Sequence, residues 1–137
     1  MMWVQADAPQ MVRDRLRRVL GAKNASLVRT EMPPKWTPKN DPVVTVIPNG
    51  TPVAAGSWSE EQVLITVHAR DGVQARKLMA ALDAVMLSPA HFAGLAVAAG
   101  GGLIVGKDSK LGGWVASATY MVRTPRIRMN KKTFNHF

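Results

Sequence analysis

Apolar residues recur along this chain at two periods, and the changes between them mark out helices and strands. Val12, Leu16, Val19 and Leu20 stand at helical spacing and predict a helix from Ala8 to Leu20. Asp7 is placed to cap it, Pro9 lies in its first turn and Gly21 closes it. A second helix opens at Asp71, which stands with Gln74 at the spacing of a capping box. Val73, Leu78, Leu82, Val85 and Met86 form its predicted buried stripe, with Ala75 and Ala81 beside them, and Ser88-Pro89 ends it. Period two governs Glu61 to Arg70, where Val63, Ile65, Val67 and Ala69 alternate with Gln62, Leu64, Thr66 and His68. It also governs Trp114 to Thr124. There Trp114, Ala116, Ala118, Tyr120 and Val122 point one way and Val115, Ser117, Thr119, Met121 and Arg123 the other.

Shorter strands are predicted at Val43 to Ile47, at Thr51 to Ser57 (weakened by Gly56) and at Leu103 to Val105. Pro48-Asn49-Gly50 and Lys107 to Gly113 carry turn chemistry. Ala90 to Gly102 has no single period: its Ala and Leu favour a helical turn and Gly100, Gly101 and Gly102 a loop. Strands joined by short polar turns pair antiparallel. The predicted fold is therefore α+β, an antiparallel sheet of about four strands with two main helices packed on one face. Lys23 to Pro42 breaks both periods with Pro33, Pro34, Pro38 and Pro42, and reads as an extended arm or long loop. Residues 125–137 read as a basic tail.

A length of 137 residues suits one domain spanning 1–137, with enough chain to bury a core unaided. No cysteine is present, which excludes disulfide frameworks, thiolate metal sites and cysteine nucleophiles. The longest weakly polar run, Phe92 to Gly106, is too short to span a membrane and holds five glycines. Asp7, Pro9, Arg13 and Asp14 interrupt the N-terminal stretch where a secretory signal needs apolar residues.

Charge alters the picture more than composition does. Residues 1–40 hold eight basic and three acidic side chains, residues 41–122 hold five and six, and residues 123–137 hold five and none. The total of +9 thus sits at the two ends, which implies acidic partners. Arg13, Arg15, Arg17 and Arg18 lie off the apolar stripe of the first helix. They read either as a solvated face, with Asp14 and Arg18 paired, or as a face that meets an acidic partner.

Catalytic patterns do not assemble. His68, His91 and His136 are too far apart in sequence to suggest a shared metal, and His68 is expected on the polar face of the sheet. Gly100-Gly101-Gly102 with Gly106 matches no dinucleotide fingerprint, and Gly106-Lys107-Asp108 lacks the features of a phosphate loop. Ser57 and Ser59 have no base nearby, and Glu60 and Glu61, adjacent on a strand, face opposite ways. The expectation is a protein without enzyme activity, metal or cofactor. Candidate contacts are instead Trp36 with Lys35 and Lys39 in the arm, and Arg123, Arg126, Arg128, Lys131 and Lys132 in the tail. Trp36 anchors the arm on its own core or docks on a neighbouring subunit. The tail, interleaved with Ile127, Met129, Phe134 and Phe137, adds a strand to a neighbour's edge, tracks a nucleic-acid backbone, or frays.

Three stretches carry a family resemblance: Val63-Leu-Ile-Thr-Val-His-Ala-Arg70, the following Asp71-Gly-Val-Gln-Ala-Arg-Lys-Leu78 with its helix to Leu87, and Ala116-Ser-Ala-Thr-Tyr-Met-Val-Arg123. With Val43-Val-Thr-Val-Ile-Pro-Asn-Gly50 upstream, residues 41 to 124 resemble the tail terminator proteins of long-tailed bacteriophages, particularly actinobacterial phages. The arm and the tail depart from that pattern. The resemblance implies a homo-hexameric ring at the head-proximal end of the virion tail. Such a ring caps the tail tube, stops its polymerisation and meets the head-side connector proteins, with DNA passing through the lumen without sequence recognition. It implies no enzyme activity, cofactor or membrane, and transfers no fixed site residues. Another head–tail joining protein, or a small basic nucleic-acid-binding module, would carry similar size and charge. Arm and tail are expected to reach across subunits, since neither has the pattern to fold alone.

Overall fold

The computed structural model describes residues 2–50, 52–130 and 132. In chain order the elements are β1 (Met2–Val4), α1 (Ala8–Asn24), β2 (Val28–Arg29), β3 (Val43–Pro48), β4 (Val53–Ala55), β5 (Trp58–Ala69), α2 (Gly72–Met86), β6 (Ala96–Ala99), β7 (Ile104–Lys107), β8 (Trp114–Pro125) and β9 (Ile127–Met129). Single 3-10 turns follow α1 at Ala25–Leu27 and precede β6 at Pro89–His91.

The main sheet is seven-stranded and mixed, not the four-stranded antiparallel sheet expected from the pattern; the class is α+β. Its order is β2-β3-β5-β8-β6, with β4 also on β5 and β7 also on β8. Two causes account for the difference. One is β2, which comes from the supposed arm and pairs parallel to β3, with Val28 opposite Val44. The other is a pair of register breaks. Pro48 lies opposite Val63 but Val53 opposite Glu60, so four residues of one strand span two of the other. Ala99 lies opposite Tyr120 but Ile104 opposite Ser117, with the triple glycine in the gap. An insertion of this kind divides a strand and raises its twist. Gly100 donates its N–H to the Thr119 carbonyl at 2.9 Å, and a Cβ on Gly101 would lie 2.7 Å from Thr119 Oγ1. A side chain at 101 would therefore require Thr119 to turn aside, a constraint that periodicity alone does not reveal.

Both helices lie on the face lined by Val44, Val46, Val63, Ile65, Val67, Ala116, Ala118, Tyr120 and Val122. Helix α1 starts as its sequence predicts: Asp7 accepts the Gln10 N–H at 3.1 Å. Gly21 breaks it with φ +79° and ψ 170°, after which a last helical turn resumes. Helix α2 is capped by Asp71, which accepts the Gln74 N–H at 2.8 Å, while Gln74 reaches back to the Arg70 amide at 3.2 Å. The hydrogen bond from the Gln74 N–H holds the Asp71 carboxyl below the ordinary aspartate range. The buried residues of α2 are Ala75, Met79, Leu82 and Met86; Leu82, Met86 and Ala75 are as predicted, Met79 joins them, and Leu78 and Val85 pack on the core only partly buried. Val73 instead stands 67% exposed.

Tyr120 is the largest fully buried side chain of the core, and its hydroxyl donates to Asp83 Oδ1 of α2 at 2.5 Å. Burial and the carboxylate both push this phenol far above its ordinary pKa. Tyr120→Phe removes a hydrogen bond to a charged group while keeping the ring. It should lower stability by about 1–2 kcal/mol, read from urea unfolding with an unchanged slope.

Candidate assembly interface

Most of the basic side chains predicted to face partners are engaged within the chain. Arg13 is buried and donates to the Val46 carbonyl of β3, with Gln10 Oε1 at 2.9 Å holding its other edge. Arg17 donates to the Val28 carbonyl of β2 at 2.9 Å and pairs with Asp14 at 3.5 Å, so Asp14 serves Arg17 and not the expected Arg18. Arg15 donates to the Ala93 carbonyl at 2.8 Å. Arg13 and Arg17 flank the apolar stripe, and long side chains at such positions lay their stems on the core and reach for sheet-edge carbonyls. The helix is therefore no uniform basic face.

The tail is also folded in cis as far as it is described. β9 pairs antiparallel with β1, with Trp3 opposite Arg128 and Val4 opposite Ile127. Arg126 ties this pair to the β4–β5 turn. Its N–H donates to the Ser57 carbonyl at 2.7 Å, and its guanidinium donates to the Gly56 and Trp3 carbonyls at 3.0 and 2.8 Å. Arg128 lies over the Trp3 ring, 5.4 Å from its centroid. Arg123 pairs with Glu60, its register partner on β5. Lys132 is exposed, and Lys131, Phe134, His136 and Phe137 lie outside the described residues. The segment that was one candidate to extend a neighbour's sheet thus pairs, over Ile127–Met129, with Met2–Val4 of its own chain.

Trp36 is 7% exposed within its own chain. Its indole N–H donates to the Asp41 carbonyl at 2.9 Å, and its ring meets His68 edge-on at 6.1 Å between centroids. Lys35, at φ +66°, and Lys39 are exposed on the same loop, which covers one end of the outer sheet face. Beneath it, Asp108 Oδ2 lies 3.7 Å from His68 Nδ1, too far for a hydrogen bond. Burial lowers the His68 pKa and Asp108 partly opposes it, while the Leu111 and Lys110 amides hold the Asp108 carboxyl low. Among the described residues no cluster of three His, Asp or Glu gathers that could hold a metal ion.

Among the described residues, two groups of exposed apolar side chains lie toward opposite ends of β8. At one end Trp3 (46% exposed), Trp58 (41%), Ile127 (54%), Val4 and Val53 belong to the joined termini and the β4–β5 hairpin. Arg128 lies on β9, Arg126 just before it and Arg123 near the end of β8. Aromatic residues and arginine are the side chains that dominate buried contacts between proteins. At the other end Leu103, Ile104 (69% exposed) and Leu111 project from the outer edge strand and its turn. From Phe92 to Gly106 this edge carries no charged residue or proline, the usual protections of an open strand. Ile104 lies opposite Ser117 and Trp58 opposite Pro125, eight residues along one strand, or roughly 26 Å apart. Sequence reading missed both patches. Their signals were Trp3 ahead of the first predicted helix, Trp58 between two predicted strands, and the uncharged run that holds Leu103-Ile104.

Between the first patch and α1, Glu61 is buried on the helix-facing side of β5. Burial, and secondarily the nearby Asp7 carboxylate, raises its pKa. The folded state therefore holds this proton more tightly than the unfolded chain does. Its contribution is complete below the ordinary glutamate range and is lost as pH rises through the raised value. Glu61→Gln should be more stable than the parent at pH 7 and equal to it near pH 4, as thermal melts at the two pH values would show.

No known protein family matches this sequence, and no curated protein is significantly similar to it.

Proposed function

We propose that this chain is a ring-forming structural protein of a phage virion, a tail terminator that caps the tail tube and joins it to the head-side connector. The observation that carries the reading is the pair of unlike exposed apolar patches toward opposite ends of β8, one rich in Trp and Arg, the other a strand edge whose one charge is Lys107 at its far end. A ring closes through head-to-tail contacts, and these need two different surfaces on every subunit. A two-fold dimer needs only one. The sequence resemblance over residues 41 to 124 supplies the virion setting, the tube and connector as partners, and the passage of DNA.

The net charge supports acidic neighbours in that setting. Each subunit carries +9, so six copies multiply a repulsion that only acidic surfaces, DNA or counterions offset. The test is to mix the purified protein with its cognate tube protein, measure mass by light scattering and image the same sample by electron microscopy. Closed rings, or tubes of limited length capped at one end, are the expected products. A monomer that ignores tubes yet docks on the connector would reassign it as another head–tail joining protein. A monomer that binds only DNA, with steep salt dependence, would overturn the ring reading.

A further inference from the structure

We propose that a cleft between α1 and the Pro89–His91 turn is a phosphate-binding site. The cleft measures about 390 Å³ and is lined by Arg15, Arg18, Val19, Ala90 and His91, with no carboxylate among them. Arg15 and Arg18 stand three apart on α1, which places them as neighbours on one helix face, roughly 5–6 Å apart at Cβ. Their situation differs from that of Arg13 and Arg17, whose guanidiniums are taken up by sheet-edge carbonyls. Arg15 spends one N–H on the Ala93 carbonyl, which orients its guanidinium over the turn and leaves its remaining donors unassigned. Arg18 is exposed and forms no ion pair among the described residues, because the adjacent Asp14 is held by Arg17 and Gln10.

Two planar guanidiniums and an imidazole around one small opening supply the directed donors that a tetrahedral phosphate accepts. Val19 and Ala90 supply the apolar part of the lining. The phosphate can belong to a nucleic-acid backbone or to a free phosphate monoester. The site stands independently of ring formation, since all its groups come from one chain.

The test uses the full chain in two arms. In the first, inorganic phosphate is titrated while backbone amides of residues 15–19 and 90–93 are followed by NMR, with chloride at matched ionic strength as control. In the second, a short DNA duplex is titrated at several salt concentrations. Arg18→Gln and His91→Gln are the test variants, since both side chains are exposed and neither carries a structural bond described above; Arg76→Gln on α2 is the control. Phosphate should shift those amides saturably, and Arg18→Gln should weaken binding about tenfold with an unchanged melting temperature. If the physiological source is a nucleic acid, the duplex binds far more tightly than phosphate, and Arg18→Gln lowers its salt slope by about one. If it is a free monoester, phosphate responds and the duplex gains nothing over it. Shifts that chloride reproduces, binding that Arg18→Gln leaves intact, or no response to either ligand would each overturn the proposal.

Discussion

Ile104→Asp should leave the chain folded and unable to join its neighbours. Ile104 is 69% exposed on an edge strand, so in the isolated subunit the substitution touches little, and surface changes of that kind stay within about 0.5 kcal/mol. In the proposed ring the same position would be buried against the next subunit, where an unpaired carboxylate costs several kcal/mol. At 1.4 kcal/mol per decade that is a loss of roughly a hundredfold or more in association. Trp58→Ala, at the other end of β8, should give the same phenotype by removing an anchor. The two variants together make a sharper test than either alone. Each keeps one intact patch, so if the two patches meet, an equimolar mixture should form heterodimers and stop there, because the remaining ends cannot pair. Light scattering of the single variants and of the mixture reads all three outcomes. Rings from either single variant, or a mixture that remains monomeric, would exclude contact between these two patches.

Gly113→Val should cost about 3 kcal/mol or more, the largest stability effect expected from a single surface-proximal change. Gly113 has φ +73° and follows Gly112 at φ +81° in the turn between β7 and β8. A side chain there pays about 1–2 kcal/mol for the left-handed backbone alone. Its Cβ would also run into the Ala69 carbonyl oxygen, a backbone atom that cannot swing aside, and into Pro38 at 3.1 Å. The strain would spread two ways. It would loosen the proline-rich loop that Pro38 and Trp36 seat on the sheet, and it would shift the turn that carries Leu111. Urea unfolding followed by tryptophan fluorescence measures the loss. Gly106→Ala is the matched control, since its Cβ meets nothing within 4 Å and its φ is not positive. It should be neutral or stabilising by up to about 1 kcal/mol. Equal behaviour of the two variants would show that the close approach at Gly113 is not what holds the turn.

The interface variants presuppose a monomer that folds without its neighbours, and the cis pairing of β1 with β9 bears on how they should be made. Removing residues from 126 onward would strip Arg126 from the Gly56 and Ser57 carbonyls and leave β1 unpaired. Point substitutions at Ile104 and Trp58 separate assembly from folding, where truncation confounds them.

The amino-acid pattern was sufficient for the helix caps and for the parity of the two long strands. Asp7 and Asp71 cap the helices it assigned to them, because a short carboxylate before an apolar run satisfies free N–H groups whatever lies beyond. Val63 to Ala69 and Ala116 to Val122 face the core in the parity read from the sequence, because a strand alternates by geometry. Strand pairing across distance was not legible in the same way. β2 pairs parallel to β3 only because α1 packs on the sheet and delivers it there, and no local signal in Val28-Arg29 announces that. The register breaks at residues 49–52 and 100–103 depend on what lies opposite them. Charge was the least legible quantity. A sequence counts arginines, but whether one serves a partner or a carbonyl of its own chain depends on which backbone groups the fold leaves unpaired beside it. Arg13, Arg17 and Arg126 went to such carbonyls, while Arg18 was left over. Local spacing thus determined the helices, the main strands and their faces, because those rules act within a few residues. Tertiary packing decided the sheet order, the joining of the termini and the placement of the exposed patches, because each is a contact between segments far apart in the chain.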